Sequence, residues 1–294
     1  MVALGLVSTP VMAQEATGSL GLSKQSQKML FASAPLAAAE QAPAAAAPKK
    51  YTVLVGSDFP LLTGYVFRGI VQEGDPGFTA QPYLDLGIAA SDKVTINVGS
   101  WNSIHSGSAD GFYESDIYGQ VTFVAGKWKP ALLFTAYTSP NDSYDTITEI
   151  AGVFTYDDSG ASMPMSPKII VAQELTDAEG ASKGTYFEVG VRPTFKSSDD
   201  SKVTFAVPVK LGMSLNKYYE YVDAATFDVK DSKFGYLQFG VNFSVPISSS
   251  VGSWEFHAGV DAYVFPSARK AFQEGDNEAK SFKPVVNFGI SGTF

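Results

Sequence analysis

The sequence predicts an all-β protein, a transmembrane antiparallel up-and-down β-barrel of twelve strands, with fourteen strands as the alternative. The first observation behind this prediction is the C-terminal segment 282–294, which alternates between apolar and polar side chains. Such alternation is typical of a strand with one apolar and one polar face. The apolar face carries Phe282, Pro284, Val286, Phe288, Ile290, Gly292 and Phe294, and the polar face carries Lys283, Asn287, Ser291 and Thr293.

The second observation is that apolar residues make up 45% of the chain without forming a long apolar run. A helix that crosses a bilayer needs about 20 consecutive apolar residues, and no segment approaches this. A closed barrel is the other structure that pairs every backbone donor and acceptor inside a bilayer. The 21 Phe, 14 Tyr and 3 Trp residues agree with this prediction, because aromatic girdles flank the apolar band of such barrels.

Cysteine content and charge exclude several other classes. The chain contains no cysteine, which excludes a disulfide framework and thiolate metal sites. Its formal net charge of -9 argues against a nucleic-acid partner. A secreted β-sandwich usually presents many Lys and Glu residues to water. Here only 17% of residues are charged, so the membrane barrel is favoured over the sandwich.

The first fifty residues are predicted to lie outside the barrel. Within residues 1–13, the segment 2–13 has the apolar character and small-residue ending of a signal peptide, but the Lys or Arg residues that usually precede such a segment are missing. We interpret this segment as a signal remnant. Residues 14–50 are rich in Ala, Ser, Gln and Pro, and such tracts rarely bury enough surface to fold. They are predicted to form a disordered, flexible periplasmic tail.

Residues 51–294 are predicted to form the barrel, because alternating segments of about ten residues are separated by Gly, Asp, Asn, Ser or Pro clusters. With both termini periplasmic, very short turns alternate with longer polar loops, as in outer-membrane barrels. The segment 217–228 could also be β-strand and form an extended hairpin, which gives the fourteen-strand alternative. The twelve predicted strands are 51–67, 78–90, 93–102, 113–124, 127–138, 144–156, 167–174, 184–195, 202–214, 233–247, 252–265 and 282–294.

The polar faces of these strands would line the barrel interior. Because carboxylates are in excess there, passage with a mild preference for cations is predicted. In the alternative, these side chains pair with one another and fill a narrow, non-conducting barrel. The predicted pore-lining residues are Asp85, Glu114, Asp116, Glu149, Glu188, Arg192, Lys210, Glu255, His257 and Asp261.

Short motifs in the first half of the chain resemble a known family. They are TGYVFRGIVQ at 63–72, PYLD at 82–85, GSWN at 99–102, ESDIYG at 114–119 and YTSP at 137–140. In this order they resemble the TorF-type porin family, the Gcw_chp conserved hypothetical outer-membrane proteins. The likeness covers about residues 57–150, and the family's usual Ser-Asp pair before the first motif is replaced by Thr63-Gly64.

This resemblance implies a porin-like channel in the outer membrane of a Gram-negative bacterium, with small hydrophilic solutes as cargo. The family-motif residues are Tyr65, Phe67, Arg68 and Gly69. Arg68 is expected to bind an interior carboxylate such as Glu114 or Asp116, or else lipopolysaccharide phosphate at the extracellular edge.

The terminal Phe294 resembles the last residue of bacterial outer-membrane barrels, whose final strand is read by the barrel assembly machinery. The resemblance therefore implies this machinery as a partner, together with outer-membrane lipids and lipopolysaccharide. Whether the barrels associate as monomers or trimers is left open by the sequence.

The competing class is an outer-membrane lipid hydrolase, and the two histidines test it. His105 is predicted to lie in a serine-rich loop with Ser103 and Ser106. The His-x-Ser spacing of the outer-membrane phospholipase is absent, so His105 is interpreted as a chance histidine. His257 shares a predicted interior face with Glu255 and Asp261, which is the wrong side for a lipid substrate.

Metal and cofactor sites are also not predicted. The acidic run EGDNE at 274–278 lacks the spacing of an EF-hand loop. No catalytic residue is assigned, and the protein is predicted not to be an enzyme.

Overall fold

The structure is a computed structural model that describes residues 51–61, 65–72, 77–106, 111–176, 182–198, 200–222, 226–266 and 281–294. The predicted signal remnant at 1–13, the predicted tail at 14–50 and the acidic run at 274–278 lie outside these residues. So do Thr63 and Gly64 of the first family-like motif.

The described part of the chain is built from β-strands separated by turns and loops. In chain order they are β1 (Tyr51–Leu61), β2 (Val66–Phe67), β3 (Ile70–Val71), β4 (Thr79–Ser91), β5 (Val94–His105), β6 (Gly111–Phe123), β7 (Trp128–Thr138), β8 (Ile147–Tyr156), β9 (Lys168–Glu174), β10 (Thr185–Val191), β11 (Thr194–Lys196), β12 (Thr204–Ala206), β13 (Val209–Asn216), β14 (Glu220–Val222), β15 (Val229–Asp231), β16 (Phe234–Ile247), β17 (Ser253–Val264) and β18 (Phe282–Thr293).

The main sheet is a closed antiparallel barrel in which each strand pairs with its neighbours along the chain. Two of its strands are interrupted: β10 continues as β11 across Arg192-Pro193, and β12 continues as β13 across Val207-Pro208. Proline cannot donate a hydrogen bond to the neighbouring strand, which accounts for both breaks. Counted this way the barrel has twelve strands, as predicted. The fourteen-strand alternative is wrong, because β14 and β15 form a separate two-stranded sheet.

The barrel is closed by its first and last strands. β1 pairs with β18 from Leu54 opposite Thr293 to Leu61 opposite Val286. The backbone of Phe294 exchanges two hydrogen bonds with Val53, with N to O distances of 2.9 and 3.2 Å. We call the end of the barrel where β1 begins and β18 ends the terminal end, and the opposite end the loop end.

The outer surface of the barrel is apolar. Outward side chains are largely exposed, including Leu84 at 42%, Ile117 at 61%, Leu132 at 53% and Val241 at 56%. At the terminal end, Trp128 packs against Tyr156 and Trp254 against Phe294, as in an interfacial aromatic girdle. A patch of this extent is unfavourable in water and favourable in lipid. The chain is therefore a membrane-spanning barrel of the kind found in the Gram-negative outer membrane.

The described residues contain no helix long and apolar enough to span a bilayer.

The packed core of the protein lies inside the barrel. On the wall formed by β7, β8 and β9, the inward positions carry mostly small or aliphatic side chains. These are Ala131, Leu133, Ala151, Val153, Ile170 and Ala172. Val66 and Ile70, which follow β1, belong to the same cluster. The prediction of one strand over 51–67 is thus wrong in its second part: β1 ends at Leu61, and the following segment enters the barrel.

Candidate functional site

The family-like motif forms a tight hairpin inside the barrel. β2 and β3 pair through Val66 opposite Val71, and we call residues 65–72 the Arg68 hairpin. Its turn places Arg68 at φ 42° and Gly69 at φ 72°, the left-handed backbone of a type I′-like turn. A Cβ atom on Gly69 would lie 2.6 Å from Cβ of Tyr236. Glycine is therefore required both by the turn and by the contact with the barrel wall.

Arg68 is held inside the barrel by a two-pronged ion pair with Glu149. Nη1 donates to Oε2 at 2.7 Å and Nη2 donates to Oε1 at 2.9 Å. Nη1 also donates to the Tyr218 hydroxyl at 3.1 Å, and Tyr137 donates to Glu149 at 3.2 Å. Arg68 thus binds an interior carboxylate, as expected, and not lipopolysaccharide phosphate. The named partners Glu114 and Asp116 are wrong, because the hairpin directs the guanidinium to Glu149 on β8 rather than to β6.

Aromatic side chains also hold the Arg68 hairpin in place. The Arg68 guanidinium lies 4.2 Å from the ring centroid of Tyr186, in a cation–π contact. The hydroxyl of Tyr219 donates to the Arg68 carbonyl at 2.8 Å. Tyr218 and Tyr219 come from the loop after β13, so two loops meet within the loop half of the barrel and fill it with side chains.

A buried polar cluster lies beside the hairpin. Ser103, Glu114 and Asp116 are each 0% exposed, and Ser103 Oγ lies 2.7 Å from Nε2 of His105. The ring of His105 stacks on Tyr113 with centroids 4.5 Å apart. The prediction that His105 lies in a loop is wrong: it is the last residue of β5, and it faces inward.

The Ser103–His105 contact has the distance of a nucleophile and base pair, but its position is unsuitable for lipid chemistry. Both side chains are buried inside the barrel, whereas acyl chains contact the outer wall. Among the described residues, no group of three or more His, Cys, Asp or Glu is arranged to hold a metal ion.

A cavity of about 550 Å³ lies on the terminal side of the Arg68 hairpin. Phe67 and Arg68 line it at the hairpin, while Leu54 and Ser291 line it near the terminal end. Its walls carry three kinds of surface: aliphatic, positively charged and negatively charged. A volume of this size is in the range of small-molecule binding sites.

The positively charged wall of the cavity comes from β9 to β13. Lys168 and Lys210 both pair across the strands with Gly190, and Arg192 is the next inward residue after Gly190. All four line the cavity. Glu188 lies beside them and accepts hydrogen bonds from the hydroxyls of two tyrosines, Tyr186 at 2.6 Å and Tyr236 at 2.7 Å.

The negatively charged wall comes from β1 and β17. Asp58 on β1 lies 2.6 Å from Nε2 of His257 on β17. Glu255 and Asp261 face inward from β17 on either side of this histidine. Asp261 interacts with the amides of Gln238 and Asn242 on β16. The strand β16 thus places neutral polar groups between the two charged walls.

The structure places all ten predicted pore-lining residues on inward positions of the barrel. Six of them line the cavity: Glu188, Arg192, Lys210, Glu255, His257 and Asp261. Glu114, Asp116 and Glu149 lie beside the hairpin, while Asp85 is bound by Asn97 at 2.6 Å and Tyr118 at 2.9 Å.

The sequence analysis missed two charged residues of the cavity, Asp58 and Lys168. Lys168 lies on the same face of β9 as Ile170, Ala172 and Glu174, two residues apart each time. The period-two pattern of the sequence was therefore enough to place Lys168 on the inward face. Around Asp58, the residues of β1 alternate less regularly between apolar and polar, so the sequence indicated the face of Asp58 less clearly.

No protein-family model and no curated protein sequence matches the chain, so the resemblance to the TorF-type family stays a prediction. Among solved structures, the COG4313 outer membrane channel from Pseudomonas putida F1 has 8% identity and a TM-score of 0.48, covering 87% of this chain and 100% of that one. LpxR from Salmonella typhimurium has 9% identity and a TM-score of 0.45, covering 82% and 100%. The translocator domain of autotransporter NalP from Neisseria meningitidis has 10% identity and a TM-score of 0.43, covering 99% and 100%.

Proposed function

We propose that this protein is an outer-membrane channel for passive diffusion of small hydrophilic solutes or ions. The observation that carries the proposal is the cavity inside a closed membrane barrel, lined by charged side chains on two walls that are separated by β16. A barrel that served only as a structural element would gain stability from a filled, apolar or fully paired interior. Charged walls around an internal cavity are what a pathway for water-soluble solutes needs.

In this proposal the Arg68 hairpin is the constriction. In this hairpin the Arg68 guanidinium reaches across the lumen and binds Glu149 on the opposite strand β8. Ion-pair and aromatic contacts hold it in place, so the narrow region has a defined shape. The predicted pore-lining residues would then act at two levels, at the hairpin and along the cavity below it.

A mild preference for cations is part of the proposal, as expected from the excess of inward carboxyl groups in the sequence. Glu114, Asp116 and Glu149 place three carboxyl groups beside the hairpin, where Arg68 binds Glu149. Carboxylates that line a narrow passage raise the local concentration of cations.

The remaining parts of the proposal concern partners and the ends of the chain. Lipids and lipopolysaccharide would contact the apolar outer wall, and the assembly machinery would recognise the last strand with Phe294. Residues 1–13 would be a signal remnant and residues 14–50 a periplasmic tail. The protein would carry out no covalent chemistry, in keeping with the TorF-type porins that its motifs resemble.

The test is single-channel conductance of the refolded protein in planar bilayers, with a salt gradient to read the reversal potential. Stable current steps with a reversal potential that favours cations would support the proposal. A second chain lacking residues 14–50 tests whether the tail blocks the lumen, because current would then appear only after truncation.

Two alternatives have distinct outcomes in the same experiment. A filled, non-conducting barrel predicts silence from both chains. A lipid hydrolase predicts silence together with release of fatty acid from phospholipid or lipopolysaccharide vesicles, and Ser103→Ala would abolish that release.

A further inference from the structure

The cavity is dipolar, and its two charged walls are separated by a neutral strand. Lys168, Arg192 and Lys210 stand on one wall, and Glu188 among them offsets one positive charge. The other wall holds Asp58, Glu255 and Asp261. His257 contacts Asp58 directly on this wall. The two walls therefore carry charged groups of opposite sign.

The positively charged wall is shaped to receive an anionic group. Lys168 and Lys210 flank Gly190 on either side, and neighbouring strands lie about 4.8 Å apart. The Cα atoms of the two lysines are therefore about 10 Å apart, and the aliphatic part of the Lys210 side chain lies against Gly190. A carboxylate that enters the cavity would meet two ammonium groups and the Arg192 guanidinium on this one wall.

The negatively charged wall places the carboxyl groups of Glu255 and Asp261 on the cavity lining. One oxygen of each, Glu255 Oε1 and Asp261 Oδ1, has no hydrogen-bond partner in the described part of the chain, while Asp261 also interacts with Gln238 and Asn242. An ammonium group has three donors and can bind more than one carboxylate. Leu54, Leu133 and Ile170 line the same cavity and offer contact to an aliphatic group.

We propose that the cavity preferentially takes zwitterionic solutes of the size of an amino acid or a dipeptide, with the carboxylate toward Lys168 and Lys210 and the ammonium group toward Glu255 and Asp261. This inference rests on the proposed function and names the solute class for the channel. A solute with a single charge is attracted by one wall and repelled by the other, whereas a zwitterion complements both.

The first test compares four solutes of nearly equal size: diglycine (zwitterion), N-acetylglycinamide (neutral), N-acetylglycine (anion) and glycylglycinamide (cation). Their entry into liposomes that contain the refolded protein is followed by swelling, after subtraction of the rate in protein-free liposomes. We expect diglycine to enter about tenfold faster than the neutral amide, at the lower end of the effect of charged clefts on association. Equal rates for the two, both above the rate in protein-free liposomes, would overturn the inference and leave the channel proposal intact.

The second test uses variants that remove one wall at a time. K168Q/K210Q and E255Q/D261N should each lower diglycine entry to the rate of the neutral amide, without changing the rate of the amide. K129Q, which alters a lysine outside the cavity lining, should change neither rate. If the double variants slow all four solutes equally, the walls act only through pore width and the inference fails. Heat-modifiable migration on gels establishes which variants have folded.

The third test separates binding from conduction. Titration calorimetry of the refolded wild-type protein in detergent micelles compares diglycine with N-acetylglycinamide. Preferential binding of diglycine supports the inference even if no solute enters the liposomes, a result that would overturn the channel proposal alone. Equal or absent binding of both solutes overturns the inference, whichever variants fold.

Discussion

The two halves of the barrel interior are built on different principles. In the loop half, the Arg68 hairpin and the tyrosines of a second loop fill the space, and one ion pair, Arg68–Glu149, fixes them. In the terminal half, the wall side chains leave a cavity that charged residues line. The same closed sheet thus supports a packed interior and a solvated one. The difference arises from what enters the barrel, because the strand pairing itself is continuous through both halves.

The largest expected effect comes from releasing the hairpin. R68M/E149Q removes both partners of the ion pair and avoids leaving one charge buried alone, which would itself be destabilising. Hydrogen bonds to charged groups contribute about 1.5–3 kcal/mol. Their loss should shift the hairpin toward an unseated state by about tenfold or more, at 1.4 kcal/mol per factor of ten. Single-channel recording should detect larger or more frequent open states.

The matched control for this change is K129M/D157N, which removes a partly exposed ion pair at the terminal end, away from the hairpin. Exposed pairs contribute little, so conductance should match that of the wild type. Unchanged conductance in R68M/E149Q would mean that the hairpin does not limit passage, and the contrast between the two halves would lose its functional meaning.

A second prediction concerns the turn of the hairpin. Gly69→Ala introduces a Cβ atom that conflicts with Tyr236, at a cost of about 1–3 kcal/mol. We expect the hairpin to be loosened while the barrel stays folded, so that conductance rises as in the first variant but less. Gly126→Ala is the control, because Gly126 has a similar φ of 66° in a turn with nothing near an added Cβ. If both variants behave alike, backbone strain rather than the contact with Tyr236 is responsible.

A third prediction tests the wall of the terminal half. The side chain of Tyr118 lies over Gly99, and its hydroxyl donates a hydrogen bond to Asp85. A Cβ atom on Gly99 would therefore overlap the Tyr118 hydroxyl. Gly99→Ala should lower the free energy of unfolding by about 1–3 kcal/mol, measured by urea unfolding in detergent. Gly119→Ala, where nothing lies within 4 Å of an added Cβ, should have a much smaller effect. Equal losses would show that this wall is adaptable.

The smallest expected effect lies at the rim of the terminal end. Hydrogen bonds from Ser159 and from Lys129 lower the pKa of Asp157 below its usual range. A carboxyl group with a lowered pKa in the folded state contributes stability that is present above its unfolded pKa of about 3.9 and is lost as the pH falls through the folded pKa. Because the pair is partly exposed, the contribution should be about 0.2–1 kcal/mol.

The check on this contribution is the difference in unfolding free energy between pH 7 and pH 3. Asp157→Asn should reduce that difference slightly, whereas Asp142→Asn, in a loop at the opposite end, should leave it unchanged. A pH dependence that is identical in the wild type and Asp157→Asn would contradict the role of this turn.

The candidate site was only partly predictable from the sequence. Alternation along β10 and β17 was enough to place Glu188, Glu255 and Asp261 on inward positions, because side chains of a strand alternate strictly between two faces. The same rule does not give the partner of an inward residue. Arg68 was expected to bind an interior carboxylate such as Glu114 or Asp116, or else lipopolysaccharide phosphate, but its position depends on a loop that leaves the strand pattern and enters the barrel. Partners that are 81 residues apart, such as Arg68 and Glu149, are set by how the sheet closes.

By itself the sequence determined the all-β barrel, its twelve strands, the apolar outer face and the inward charges, since these depend on local alternation and on turn residues between strands. Only the tertiary structure decided that residues 65–72 occupy the lumen, that His105 is buried in β5, and that opposite charges line two walls of one cavity. The physical reason is that periodicity encodes which face a side chain takes, whereas contacts across the lumen depend on closure of the sheet and on the space that remains inside it.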